Sequence, residues 1–169
     1  MKKPTNILFL DVDGVLVNRK SLMRHSGIDA KGDPDCVAAL NRIIAETDAR
    51  VVVSSCWRIG TTLPWLRETL RSWGVRAKVI GKTPDFKFTT PRGHEIEAWL
   101  AEFSKGREVG RIVILDDDAD MDGLSKFLVQ TEFEPGLTDD DAGQAIKILK
   151  GGVTWQRQSR TSKAGLTAE

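Results

Sequence analysis

Two aspartates stand two residues apart in Asp11-Val12-Asp13-Gly14, directly behind the apolar run Ile7-Leu8-Phe9-Leu10. Such a run predicts a buried strand, and residues i and i+2 of a strand project to one face. Two like charges that close repel, so the pair asks for a cation or a shared proton. Gly14 permits a sharp turn that brings main-chain N–H groups near an anion. Alone, the segment reads equally well as a surface Asp-x-Asp-Gly turn. It is not alone. Val51-Val52-Val53-Ser54-Ser55 is a second β-branched run and ends in two hydroxyls, and Arg111-Ile112-Val113-Ile114-Leu115 ends in Asp116-Asp117-Asp118. Lys82 and Arg92 lie between them in polar, proline-containing stretches. The carboxyl ends of strands are where an open α/β sheet gathers its ligand.

Acid pair, hydroxyl, cation and acid pair, in that order over residues from about 5 to 118, resemble the four motifs of the haloacid dehalogenase superfamily of phosphotransferases. A more specific likeness covers most of the chain. Val51 to Arg58 (VVVSSCWR), Arg92 to Leu100 (RGHEIEAWL), Ile114 to Met121 (ILDDDADM) and Val129 to Leu137 (VQTEFEPGL) look like the haloacid dehalogenase domain associated with Swiss Army Knife RNA-repair proteins. The resemblance implies a Rossmann-like three-layer α/β/α sandwich with a mostly parallel five-stranded sheet. It also implies a phosphomonoester hydrolase that works through an aspartyl-phosphate, dividing into two steps a reaction whose barrier must be lowered by on the order of 20 kcal/mol or more.

In that frame Asp11 is the nucleophile, and Asp13 is the general acid that protonates the leaving oxygen and then the base that activates water. Mg²⁺ would be held by an Asp11 oxygen, the Asp13 backbone carbonyl and Asp117, an all-oxygen set suited to that ion. Asp116 is either a second ligand or the partner that orients Asp117. Ser54 matches the phosphate-binding hydroxyl, with Ser55 assisting. Arg92 and Lys82 are rivals for the cation of the third motif, Arg as a bidentate fork and Lys as a point charge; Arg92 is preferred because it opens a helix as in the closer family.

Hydrophobic spacing supplies the scaffold for these groups. Asp33-Pro34 starts a helix with a cap residue and then proline at the first helical position, and Val37, Leu40, Ile43 and Ile44 give it an apolar face. A strand over 50–54 follows. A second helix is predicted from about Leu63 to Trp73, with Trp65, Leu66, Leu70 and Trp73 on its inner stripe and Gly74 as its stop. Residues 77–80 predict a short strand. A third helix begins near Pro91 and carries Ile96, Trp99, Leu100 and Phe103. Then come a strand over 111–115, one helical turn around Met121 to Phe127, and a fifth strand over 128–131. Thr138 and Asp141 have the form of a capping box for a last helix through Ala145, Ile146 and Leu149. Asn18 to Gly32 reads as a polar loop without periodicity. Alternation of this kind implies a parallel sheet with helices on both faces.

The bulk composition fits one domain over residues 1–150, followed by a polar, basic and flexible tail over 151–169. A chain of 169 residues, 40% hydrophobic, can bury one substantial core. A formal net charge of +1 exerts no global pull toward nucleic acid or an anionic membrane, and no apolar run is long enough to span a bilayer. Absence of a signal-peptide core and two unpaired-looking cysteines, Cys36 and Cys56, point to the cytoplasm, with both thiols buried as small apolar groups.

Three other features compete for a functional meaning. Asp118-x-Asp120-x-Asp122-Gly123 copies the start of a calcium loop, but its twelfth position is Val129 rather than glutamate. His94-Glu95 lacks a second histidine for metal-ligand spacing, which leaves His94 as a solvent-facing residue. Trp57, beside Arg58, could stack a base, although packing is the commoner use of tryptophan.

The intervals between motifs leave no room for a cap domain. The resemblance therefore implies an open site, suited to a phosphate on a nucleic-acid end or to a small phosphate covered by a protein partner. Residues 15–32, with Arg19, Lys20, Arg24, His25 and Lys31, form the candidate basic flap, and Lys150, Arg157, Arg160 and Lys163 make the tail basic. A small-molecule phosphatase and a non-catalytic binding module are the alternatives, the second disfavoured by the intact acid and hydroxyl set.

Overall fold

Ile7-Leu8-Phe9-Leu10 is wholly buried, as a run without polar alternation must be when both faces of its strand are covered. In the computed structural model, which describes residues 3–25, 29–87 and 89–156, this run forms β1 (Thr5–Leu10), the centre of a five-stranded sheet. Its neighbours are β2 (Arg50–Val53) and β4 (Val109–Asp116), with β3 (Val79–Lys82) and β5 (Leu128–Gln130) at the edges in the order β3-β2-β1-β4-β5. Every strand pair is parallel. The sheet is thus all-parallel rather than mostly so, with a helix or 3₁₀ segment between each strand and the next along the chain.

Alternation along the strands separates two cores. Leu8, Leu10, Val51, Val53, Val113 and Leu115 face one way, against α2 (Pro34–Thr47), α3 (Leu63–Ser72) and α5 (Asp139–Gly151). Ile7, Phe9, Val52, Ile112 and Ile114 face the other, against α4 (Arg92–Phe103) and a 3₁₀ segment over Asp122–Phe127. The three-layer sandwich is the one expected. Among the described residues no additional domain sits over the carboxyl edge of the sheet, and no helix is long and apolar enough to cross a membrane.

The capping expectations hold in atomic detail. Asp33 accepts from the Asp35 N–H at the start of α2, and Thr138 and Asp141 complete a reciprocal capping box on α5. Other expectations need correction. The stretch read as loop contains α1 (Arg19–Arg24), a single short helix closed by an Asn18–Ser21 capping box; it has no apolar stripe, so only the cap could have announced it. The third strand lies at 79–82 instead of 77–80. Gly81 lies within this strand, where a Cβ would press on the Trp99 ring, 2.9 Å from Nε1. Trp65 is 46% exposed: the inward stripe of α3 runs through Leu66, Leu70 and Trp73, and position 65 lies a step of the helix away from it. Cys36 is buried as expected, but Cys56 is exposed, opening a 3₁₀ turn over Cys56–Arg58. Most of the tail, including Arg157, Arg160 and Lys163, lies outside the described residues.

Candidate active site

β1 ends by handing Asp11 to a tight loop. The Val12 carbonyl accepts N–H bonds from Val15, Leu16 and Val17, and the Gly14 N–H donates to Val17 O at 2.8 Å. Gly14 has φ +75, and a Cβ at this position would collide with the Asp117 carboxylate. Glycine is required here twice over, for the backbone turn and for the approach of the second acidic motif. Thr131, just beyond β5, fastens the two motif loops together: its N–H donates to Asp116 O at 2.9 Å and its hydroxyl to Gly14 O at 2.7 Å.

Asp116 and Asp117 follow from β4, which pairs with β1 in register, Leu115 beside Leu10. Asp11, Asp116 and Asp117 consequently converge, each offering a carboxylate oxygen within 4.8 Å of the others. Arg92 enters from the first residue of α4: its Nη1 lies 2.7 Å from Asp116 Oδ2 and 3.3 Å from Asp11 Oδ1. α4 is held in place for this by Asp120, whose carboxylate accepts the Arg92 N–H and whose carbonyl accepts the Gly93 N–H. Gly93 permits that closeness, because a Cβ there would strike the Met121 carbonyl.

Three carboxylates face one guanidinium, and the local charge is unbalanced. Burial and then the Asp11 charge push the Asp116 carboxyl up to about 7. The same two causes raise Asp117, and burial raises Asp13 against the Trp57 hydrogen bond that favours its ionised form. For Arg92, burial opposes the charge, but Asp116 and Asp11 outweigh it and hold the guanidinium firmly protonated. Excess negative charge on hard oxygen donors fits a divalent cation such as Mg²⁺. Both Asp116 oxygens are engaged, Oδ1 by the Asp118 N–H and Oδ2 by Arg92, which leaves Asp11 and Asp117 as the freer donors.

β2 brings the hydroxyls beside Asp11, the Ser54 N–H donating to Leu10 O at 2.9 Å. Ser54 Oγ is buried without a hydrogen-bond partner among the described residues. A hydroxyl in that condition costs free energy unless something later bonds it. Ser55 Oγ instead accepts the Trp57 N–H and caps the 3₁₀ turn. Lys82 is turned elsewhere: its Nζ donates to the carbonyls of Arg58 and Thr61. Of the two rival cations, Arg92 is the one that meets the carboxylates.

Several neighbours were not foreseen. Trp57 Nε1 donates to Asp13 Oδ2 at 2.9 Å, so the indole engages Asp13 through its N–H, and its ring packs on Trp65 and Trp73. Arg58 is buried, its donors spent on the carbonyls of Ser54, Ser55, Thr83 and Pro84 and on Glu95 Oε2 at 2.5 Å. It is therefore enclosed rather than poised at the mouth. No signal in the sequence pairs Arg58 with a glutamate 37 positions away. His94 is half exposed and lies 2.9 Å from Asp122, while Val129 of the calcium-loop pattern is buried in β5. In the candidate flap, Arg19 reaches Glu134 and Lys20 reaches Asp35 in loose, exposed pairs.

A family model described as the HAD domain in Swiss Army Knife RNA repair proteins matches residues 7–142. No curated protein and no solved structure matches the chain.

Proposed function

The chain belongs to the family of haloacid dehalogenase domains found in Swiss Army Knife RNA repair proteins, and from that membership we propose that it is a Mg²⁺-dependent phosphomonoester hydrolase working through an aspartyl-phosphate. The observation that carries the reading is the convergence of Asp11, Asp116 and Asp117 on one point with Arg92 against two of them. Structural ion pairs balance their charges; this cluster does not.

Asp11 attacks phosphorus, with Val12 N–H and Arg92 holding its Oδ1. Arg92 shares its positive charge between the nucleophile and the incoming phosphoryl group. The orphan Ser54 hydroxyl is supplied with a partner when a phosphoryl oxygen arrives. Asp13 protonates the leaving oxygen, and in the second half it draws a proton from the water that frees Asp11. Asp11, Asp117 and the Asp13 carbonyl, with Asp116 beside them, would hold Mg²⁺, which would supply the charge neutralisation that an anionic nucleophile needs to meet an anionic ester.

The substrate class we propose is a terminal phosphate on a nucleic acid, supported by the family description and by a carboxyl edge of the sheet over which no further domain sits among the described residues. We further propose a cytoplasmic setting, and a protein partner over the site if the substrate is small. The test is phosphate release with Mg²⁺ from an aryl phosphate, nucleoside monophosphates, and oligonucleotides phosphorylated at the 3′ or 5′ end. Selective turnover of one oligonucleotide end supports the proposal. Equal turnover of small esters assigns a broad phosphatase instead, and no release from any of them contradicts the catalytic reading.

A further inference from the structure

We propose that Trp57 is a positioning residue for Asp13: its indole N–H keeps Oδ2 as a standing acceptor, so that Oδ1 is the oxygen that gives and takes the proton. The inference rests on Asp13 being the acid–base of the reaction above, and deepens it.

An indole N–H only donates. The carbonyl oxygen of a neutral carboxyl accepts far better than its hydroxyl oxygen, so holding Oδ2 as the acceptor favours the proton of a neutral Asp13 on Oδ1. The 2.9 Å bond from Nε1 to Oδ2 is the geometry on which this turns. Trp57, partly buried, is itself held by several contacts. Its main-chain N–H donates to Ser55 Oγ at 3.3 Å, and its main-chain carbonyl accepts the Thr61 hydroxyl at 2.7 Å. Its ring meets Trp73 edge-on at 5.4 Å and tilts against Trp65 at 6.4 Å. The next residue, Arg58, locks the turn by bonding the Ser54 and Ser55 carbonyls. A catalytic carboxyl carried on a loop needs such support, because a group free to rotate spends much of its time misaligned.

The proton then follows a defined route. Asp11 forms a bond to phosphorus, and the ester P–O bond breaks with its electron pair passing to the leaving oxygen. That oxygen takes the proton from Asp13 Oδ1, and the negative charge left on Asp13 is met at Oδ2 by the Trp57 N–H. In the second half, water bonds to phosphorus as its proton moves to Oδ1 and the Asp11–phosphorus bond breaks.

Trp57→Phe keeps the ring and deletes the donor. Its effect is predicted to grade with the leaving group, since a poor leaving group needs the proton and a good one does not. With Mg²⁺, kcat/KM, which reports formation of the aspartyl-phosphate, falls about 10-fold for glycerol phosphate, a small part of what a general acid contributes, and stays within about 2-fold for p-nitrophenyl phosphate. Asp13→Ala shows the same grading more steeply. A graded Asp13→Ala with an ungraded or silent Trp57→Phe overturns the positioning role alone. An ungraded Asp13→Ala overturns the acid–base assignment beneath it. A readout independent of turnover is the indole N–H resonance that Trp57→Phe removes from the set of five tryptophans. Asp13→Ala is predicted to shift that resonance upfield and speed its exchange with solvent; an unmoved resonance overturns the contact.

Discussion

Two arginines, both pressed against carboxylates, occupy opposite situations in this molecule. Arg58 meets one acid, Glu95, and four carbonyls, with every donor used and both side chains sealed from solvent. Arg92 meets Asp116 and Asp11 with Asp117 close by, remains partly open to solvent, and leaves negative charge in excess. The first is a closed network that clamps the segments after β2 and β3 to α4. The second is stable only in part by itself and becomes complete when a cation and a phosphoryl group arrive. Charge balance marks the scaffold, and imbalance marks the site.

The sharpest break between the two regions should come from Asp11→Asn. Loss of the nucleophile is expected to lower kcat by about four orders of magnitude or more, while the melting temperature holds or rises because one like charge is gone. A large residual rate in a phosphate-release assay would place the nucleophile elsewhere. Glu95→Ala is expected to do the reverse. Stranding the buried Arg58 costs about 3–5 kcal/mol of stability, measured by urea unfolding, and any activity loss follows from unfolding rather than chemistry. An unchanged midpoint would mean the pair is not the clamp it looks to be.

Asp117→Ala comes next in size. It should raise the Mg²⁺ concentration needed for half-maximal activity on the order of 10–100-fold, whereas Glu95→Gln should leave the metal titration where it is. The smallest effect is on pH. Asp116 is held up to about 7 in the fold against roughly 3.9 for an unfolded aspartate. Between those values the folded state holds a proton that the unfolded chain has lost, so this group's contribution to stability declines as pH rises from about 4 to about 7 and is flat above. A divalent cation beside Asp116 favours its ionised form, so Mg²⁺ should raise the melting temperature more at pH 8 than at pH 5. Asp116→Asn should flatten both trends in a thermal-shift series.

The strands and the acid pairs were legible because burial on both faces leaves an unbroken apolar run, and Asp11, Ser54 and Asp116 follow such runs directly. The caps at Asp33 and Thr138 were legible because a cap is local chemistry. What the sequence hid was long-range or exceptional. Glu95 against Arg58 and Trp57 against Asp13 join residues 37 and 44 positions apart, and no spacing rule reaches that far. The strand over 79–82 reaches past the expected 77–80, and its Gly81 is required by Trp99 of a neighbouring helix. The choice between Lys82 and Arg92 was open in sequence for the same reason, since only the fold decides which cation points at the carboxylates.

The central claim is a covalent bond between phosphorus and Asp11. Acid quenching during turnover of p-nitrophenyl phosphate with Mg²⁺, borohydride reduction and peptide mass spectrometry would read it directly. Position 11 is expected to be recovered as homoserine, with the signal abolished in Asp11→Asn. Steady turnover with position 11 unmodified, or modification of Asp13, Asp116 or Asp117 in its place, would contradict it.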